Sequence, residues 1–228
     1  MANLFRMGGA KPTIDIPPVV VIGLGRFGTA LARELMVHGV EVLGIDTNEK
    51  IVTEQAPYLT EAVTADTTDP EALRQLGVDE VERVILAIGS HLESSILTAS
   101  NLVEMGIKDI WAKADSEAHA RILTQIGAHH VIRPERDTGR RVAHLLGGRF
   151  RDFAEIATDY GVTQLTPPPF LVGHPISPDE LWRAHQVQLV SVRQSDGHWT
   201  PLVSGSTLTS TDIIVAAGSP GALEKFSK

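Results

Sequence analysis

The sequence predicts an α/β protein in which a doubly wound parallel sheet, residues 19–133, is followed by a connecting helix, 134–148, and a small α+β domain, 149–228. Three observations carry the prediction. Short apolar, β-branched runs alternate with helical stretches up to residue 133, giving six strand signals, the pattern of right-handed βαβ units. The first run, Val19 to Ile22, breaks into glycines spaced G-x-G-x-x-G at Gly23, Gly25 and Gly28. Beyond Gly147 and Gly148 the alternation gives way to short strands joined by segments rich in proline and glycine.

The elements follow in order. Residues 1–18 read as a flexible tail, with Gly8, Gly9 and the Pro17-Pro18 pair, although Leu4, Phe5 and Met7 could dock. In the glycine turn, Gly23 allows the tight exit from the strand. Gly25 removes the Cβ that would hold a pyrophosphate off the backbone, and Gly28 lets the next helix lie close to the sheet. The helix N-terminus then offers N–H groups and partial positive charge to phosphates. That helix places Phe27, Leu31 and Leu35 on one face and stops at Gly39. A strand over 41–45 ends at Asp46, eighteen residues past Gly28, near the spacing at which a carboxylate takes ribose hydroxyls. The motif therefore comes in the strand, turn, helix and acid context of a Rossmann-like nucleotide site.

A helix over 48–55 and a strand over 62–65 ending at Asp66 come next. Asp69 and Pro70 are the cap and first residue of a helix that Gly77 closes. Residues 81–88 are a near-continuous apolar strand of the kind buried on both faces. Ser90 and Glu93 form a capping box for a helix whose apolar face is Leu92, Ile96, Ala99 and Val103, ending at Gly106. A strand over 110–114, a helix over 117–126 with Gly127 behind it, and a strand over 130–132 complete the sheet. Pro134 opens the connecting helix. The last eighty residues show strands over 153–158, 162–165, 187–192 and 213–217, and a helix marked by Ser177, Pro178 and the capping-box partner Glu180.

Ligands bind such sheets at the carboxyl ends of the strands. Asp46, Asp66, Gly89 with Ser90, and Lys113 all fall at predicted strand ends, so four segments converge where the glycine turn points. Asp46 opposes a 2′-phosphorylated cofactor, because two anions would meet at hydrogen-bonding distance; NAD, ATP and ADP remain open. Arg26 puts a guanidinium inside the turn, able to clamp a phosphate of its own ligand or a neighbour's. Glu135 and Asp137 lie in the first turn after Pro134, where they complement the helix dipole or hold a hard divalent ion with nucleotide phosphates.

Composition closes other routes. With 20 Lys and Arg against 28 Asp and Glu, the formal charge of −8 opposes general attraction to nucleic acid or an anionic membrane. The absence of cysteine removes disulfides, thiolate chemistry and Cys-based zinc sites, and fits a cytoplasmic protein. No run approaches the ~20 apolar residues of a membrane span, and no signal peptide is expected. The nine histidines include no pair three or four apart; His129 and His130, in a strand, point to opposite faces. No G-x-S-x-G turn is present, so a serine hydrolase is not expected. An NAD-dependent oxidoreductase would need a proton donor, and the C-terminal part offers only scattered His174, His185 and His198, read as surface residues. An NAD-sensing repressor would need a basic helix pair that the 18-residue tail cannot hold.

GLGRFG, the strand ending in Asp46 with Asn48 two further on, VILAIGS, IWAKA and RPERD together resemble the cytosolic regulatory subunits of bacterial Ktr and Trk potassium uptake systems. Their modules are called RCK or KTN domains, regulators of potassium conductance. The resemblance runs from about Val19 to the C-terminus and is specific in the first 140 residues. It implies a Rossmann-like N-lobe (TrkA-N), a crossover helix used in dimerisation and a small C-lobe (TrkA-C), in a non-enzymatic subunit. It also implies a homodimer, an octameric ring of such dimers, and a membrane potassium channel or transporter above the ring. The ligand is ATP, ADP or NAD(H). By the same resemblance Gly23, Gly25 and Gly28 cradle phosphates, Asp46 holds the ribose, and Asn48, Asp66 and Thr67 border the adenosine. Phe27, Thr47, Ile88 and Gly89 belong to the same contact set, and Lys113 lines the pocket. Arg26 would reach the terminal phosphate of nucleotide in the adjacent subunit, and Glu135 would coordinate Mg²⁺, Ca²⁺ or Na⁺ at the dimer interface. Some relatives bind cyclic di-AMP between C-lobes; Arg183 matches that site, but Leu181 stands where a polar residue is expected.

Overall fold

A computed structural model of the chain describes residues 14–194 and 197–228, so the flexible tail expected over most of 1–18, and the alternative docking of Leu4, Phe5 and Met7, lie outside the described residues. The chain divides into two compact units, residues through Glu135 and Arg136–Lys228.

The first unit is a six-stranded sheet built from β1 (Val19–Ile22), β2 (Val42–Asp46), β3 (Glu61–Thr64), β4 (Arg83–Leu86), β5 (Asp109–Lys113) and β6 (His130–Ile132). Its order is β3-β2-β1-β4-β5-β6 and every pairing is parallel. The crossovers are α1 (Arg26–Val37), α2 (Glu49–Gln55), α3 (Pro70–Gln75), α4 (Leu92–Glu104) and α5 (Glu117–Ile126). This is the doubly wound order, with a switch point between β1 and β4 where the crossovers leave in opposite directions and open a crevice. All four residues of β1 are buried, as a central strand covered on both faces must be.

Differences from the sequence reading have physical causes. Residues 14–16 do not behave as tail: the Ile14 N–H donates to the His38 carbonyl at 3.2 Å and Ile16 packs against the core of β1 and α1. The strand expected over 81–88 pairs only over Arg83–Leu86, because residues 78–80 form a short 3₁₀ turn. The capping box of Ser90 and Glu93 does not form. The helix starts one residue later, with His91 at the cap making no side-chain bond. Its buried face is Ser95, Thr98, Ala99 and Leu102, and Leu92 is 49% exposed. Two polar residues can occupy that face because each has a buried partner: Thr98 meets the Thr67 hydroxyl at 2.9 Å and Ser95 meets His119 Nε2 at 3.1 Å.

Helix α6 (Pro134–Leu146) begins at the end of the first unit. The second unit holds β7 (Phe150–Ala157), β8 (Tyr160–Leu165), α7 (Pro178–His185), β9 (Val187–Arg193), β10 (Trp199–Pro201), β11 (Ile213–Gly218) and α8 (Pro220–Phe226). Its sheet runs β10-β9-β11-β8-β7 and is antiparallel throughout. Strand β7, an outer strand, has bulges at both ends of its ladder, at Arg151 and Ile156. Strand β10 and helix α8 are absent from the sequence reading. The first is three exposed residues; the second carried a legible signal, Ser219 as cap and Pro220 as first residue. Ser177 does cap α7 by position, but its side chain makes no cap bond. His185, read as a surface residue, is half-buried between Phe170 and Phe226 at ring distances of 5.1 and 5.5 Å.

Candidate functional site

The crevice at the switch point is shaped by the three glycines, each for its own reason. Gly23 turns with φ +91° and lies against the Ala87 and Ile88 backbone. A Cβ on Gly28 would sit 1.9 Å from the Gly23 carbonyl oxygen, so only glycine lets α1 approach the strand tip. A Cβ on Gly25 would meet nothing within 4 Å; the turn faces open space there, and Gly25 caps α1 without a side-chain bond. That leaves the first-turn N–H groups directed at the crevice.

One side of the crevice is a cavity of about 320 Å³ lined by Gly23, Gly25, Asp46, Thr47, Asn48, Asp66, Thr67, Ile88 and Gly89 among others. The Asp46 carboxylate is fixed at the end of β2 by two backbone donors, Leu24 N–H to Oδ2 at 2.7 Å and Asn48 N–H to Oδ1 at 2.9 Å. A carboxylate has about four acceptor positions, so ribose hydroxyls find two still open. Asn48 is used locally: its Oδ1 caps α2 by accepting from Lys50 and Ile51. Asp66 accepts from the Thr68 hydroxyl and N–H, and these two bonds hold its carboxyl below its ordinary value. Thr67 lines the cavity, but its hydroxyl is committed to Thr98.

The other side is a cavity of about 610 Å³ lined by Gly25, Arg26, Phe27, Ala87, Gly89, Ser90, Lys113, Asp115 and Glu135. The two cavities share Gly25, Ala87, Gly89 and Ser90, so they form one cleft across the tips of β1 and β4. Lys113 Nζ lies 2.9 Å from Glu135 Oε1 and 3.1 Å from Asp115 Oδ1. Burial alone would depress the Lys113 pKa; the hydrogen bonds to Glu135 and Asp115 outweigh it and hold the ammonium above its ordinary value. The bond from Lys113, with the Glu135 backbone N–H and more weakly Arg26, lowers the Glu135 carboxyl.

The cleft thus gathers the residues singled out for the nucleotide except Gly28, which lies behind the turn; Asp137 and Arg183 are not among its lining. Asp115, His91 and Ser94, which also border it, were not singled out. Asp115 was within reach of the same reasoning, since it follows β5 as Asp66 follows β3. Among the described residues no group of three or more His, Asp or Glu could hold a metal ion. Glu135 and Asp115 supply the hard oxygen donors that Mg²⁺ or Ca²⁺ prefers, but a complete set needs oxygens from a ligand.

Beneath this cleft His119, 3% exposed, accepts the Asp115 N–H on Nδ1 at 3.4 Å, so its Nε2 proton faces the Ser95 hydroxyl. Burial pushes its pKa below the ordinary 6.5, partly opposed by the Asp115 charge. The unfolded chain therefore takes up this proton at higher pH than the folded one, and stability falls as pH drops through about 6.5. The slope has a ceiling of about 1.4 kcal/mol per pH unit. Denaturant unfolding at pH 7.5 and 5.5 is expected to show this loss in the wild type and a smaller one in His119→Gln; equal losses would remove His119 as the cause.

A doubly wound sheet with a glycine turn and an acidic strand end at its switch point defines a Rossmann-type nucleotide-binding domain. Residues 19–134 match the TrkA-N domain family. The chain is 31% identical over 209 residues to Ktr system potassium uptake protein C of Bacillus subtilis, covering 91% of this chain and 95% of that protein. It is 35% identical over 199 residues to Ktr system potassium uptake protein A of Vibrio alginolyticus, covering 87% and 90%. Among solved structures, the GsuK RCK domain superposes with a TM-score of 0.62 at 18% identity over 96% of this chain. The GsuK channel bound to NAD gives 0.63 at 19%, also over 96%. The chain spans 49% and 41% of those two chains, and the likeness concerns the fold. The chain belongs to the TrkA-N family and has the RCK-domain fold. No helix among the described residues is long and apolar enough to cross a membrane.

Proposed function

We propose that this protein is a nucleotide-sensing regulatory subunit that gates a membrane potassium channel or transporter from the cytoplasmic side. The observation that carries the reading is the division of one cleft into a nucleoside end, at Asp46, and a charged end, at Arg26, Lys113 and Glu135. Adenosine and its first phosphates fit the former with the glycine turn; a terminal phosphate falls at the latter. The Ktr system names of the relatives supply the potassium transport context. ATP and ADP are the ligands proposed, with NAD(H) as the other occupant the turn accommodates. Chains pair as homodimers that assemble into an octameric ring, Arg26 of one copy reaching nucleotide held by the next. Glu135 contributes oxygen to Mg²⁺, Ca²⁺ or Na⁺ beside the phosphates. The protein reports what it holds and does not transform it.

A ligand shifts two conformations only by its difference in affinity for them. The terminal phosphate must therefore gain contacts that ADP cannot make. A differential of ~1 kcal/mol per site, summed over about eight sites, exceeds the ~5.5 kcal/mol that moves an equilibrium from 1:99 to 99:1. A charge-assisted bond from Arg26 is worth about 1.5–3 kcal/mol, enough for the task. Calorimetric titration is expected to show ATP binding about tenfold or more tightly than ADP, and Arg26→Ala bringing the two within about twofold. Equal affinities in the wild type, unchanged in Arg26→Ala, would remove the switch.

A further inference from the structure

Lys113 is the one cation shared by two carboxylates at the charged end of the cleft, with Asp115 Oδ1 at 3.1 Å and Glu135 Oε1 at 2.9 Å. Its side chain is only 12% exposed, so these two partners stand in for water. Asp115 is held in place from behind: its carboxylate rests on Gly89, where a Cβ would lie 2.3 Å from Oδ1. Two carboxylates around one positive charge make a cation cage whose resident belongs to the chain itself.

We propose that Lys113 is an interlock: its ammonium fills the cation position between Asp115 and Glu135 until a terminal phosphate draws it away, so that a divalent cation enters only together with that phosphate. While the ammonium is in place, an arriving divalent ion meets a fixed positive charge at close range and finds one oxygen of each carboxylate already engaged. A phosphoryl group at the Gly25 side of the same cavity offers the ammonium a partner of higher charge. Its withdrawal releases carboxylate oxygens, which with the phosphate oxygens form the all-oxygen set that Mg²⁺ or Mn²⁺ takes. ADP, and the nicotinamide-riboside half of NAD(H), bring no such terminal phosphate and leave the cage filled. Asp115 is a positioning residue here, acting through Lys113. The inference rests on nucleotide binding at the glycine turn and adds to it the residues that make cation uptake depend on phosphate number.

The test uses the full chain and Mn²⁺. Without nucleotide, Lys113→Met is expected to bind Mn²⁺ at least tenfold more tightly than the wild type, measured by electron paramagnetic resonance of the free ion, and Asp115→Asn added to it is expected to cancel the gain. In the wild type, Mn²⁺ is expected to strengthen ATP binding at least tenfold relative to binding in chelator, and ADP binding by less than threefold. Equal Mn²⁺ affinity in wild type and Lys113→Met, or equal strengthening of ADP and ATP, overturns the interlock. Thermal unfolding checks each variant; if Lys113→Met does not fold, Lys113→Gln replaces it and the wild-type comparison decides. If the wild type binds neither nucleotide, the functional reading itself fails. If it binds both and Mn²⁺ is indifferent to the terminal phosphate, only the interlock falls.

Discussion

Replacing Gly28 by valine is expected to cost about 3 kcal/mol or more of stability and to abolish nucleotide binding, whereas Gly25→Ala is expected to leave stability within about 1 kcal/mol and to weaken nucleotide binding about tenfold or more. The two glycines differ in what surrounds them. At position 28 the first side-chain carbon would lie 1.9 Å from the Gly23 carbonyl oxygen, 3.0 Å from its carbon and 3.1 Å from the Ala87 Cβ. Two of those atoms are backbone in the turn itself, so no rotamer relieves the collision. Helix α1 must lift or the turn must move, and either displaces the N–H groups that face the ligand. At position 25 the same carbon meets nothing within 4 Å, and φ of −66° suits any residue. The alanine methyl then projects into the space a phosphate needs. Denaturant unfolding and calorimetric titration of both variants separate the roles: Gly28→Val should fail both measurements and Gly25→Ala only the second. A Gly28→Val protein as stable as the wild type would contradict the close approach of helix and strand.

Phe153→Ala carries the second large effect, expected at about 3–5 kcal/mol. Phe153 is 1% exposed in the core of the antiparallel unit, with the His144 ring 4.1 Å away and Phe150 at 6.0 Å. Gly161, which pairs with Glu155 on the β8 side of the ladder, leaves room for the ring, since a Cβ there would come within 2.9 Å of the ring edge. Such a neighbourhood cannot collapse into the space left by the ring: Gly161 has no side chain to offer and the β7–β8 ladder fixes both backbones. Trp182 and Trp199 lie in the same unit and report its unfolding by fluorescence. A loss below about 1 kcal/mol would show that the aromatic cluster is not the core it is taken to be.

The parallel sheet was readable because each of its signals is local and redundant. A buried strand is a β-branched run, each turn carries its own glycine or cap, and the carboxylates at positions 46 and 66 announce strand ends. Helix α4 defeated that reading because its register is set from outside. Ser95 and Thr98 are buried by partners more than twenty residues away, His119 and Thr67, which no periodicity in α4 reveals. Asp115 was legible as a strand-end carboxylate like Asp66, but its role was not. Its importance comes from lying on Gly89 and holding Lys113, two contacts made only when β4 and β5 are side by side. In the antiparallel unit strand β10 has three exposed residues and no alternation to detect, while α8 had a cap and a proline that were there to be used.

Strand β7, one of the two outer strands of that antiparallel sheet, has a bearing on solubility. A long flat β7 would offer a row of backbone donors and acceptors to any passing strand and invite stacking into fibrils. The bulge at Ile156 interrupts that row where the side chain is 67% exposed and most adhesive, and the bulge at Arg151 breaks it again beside a charge. That edge of the sheet is thereby a poor template for aggregation, a protection written into its register and not into its composition.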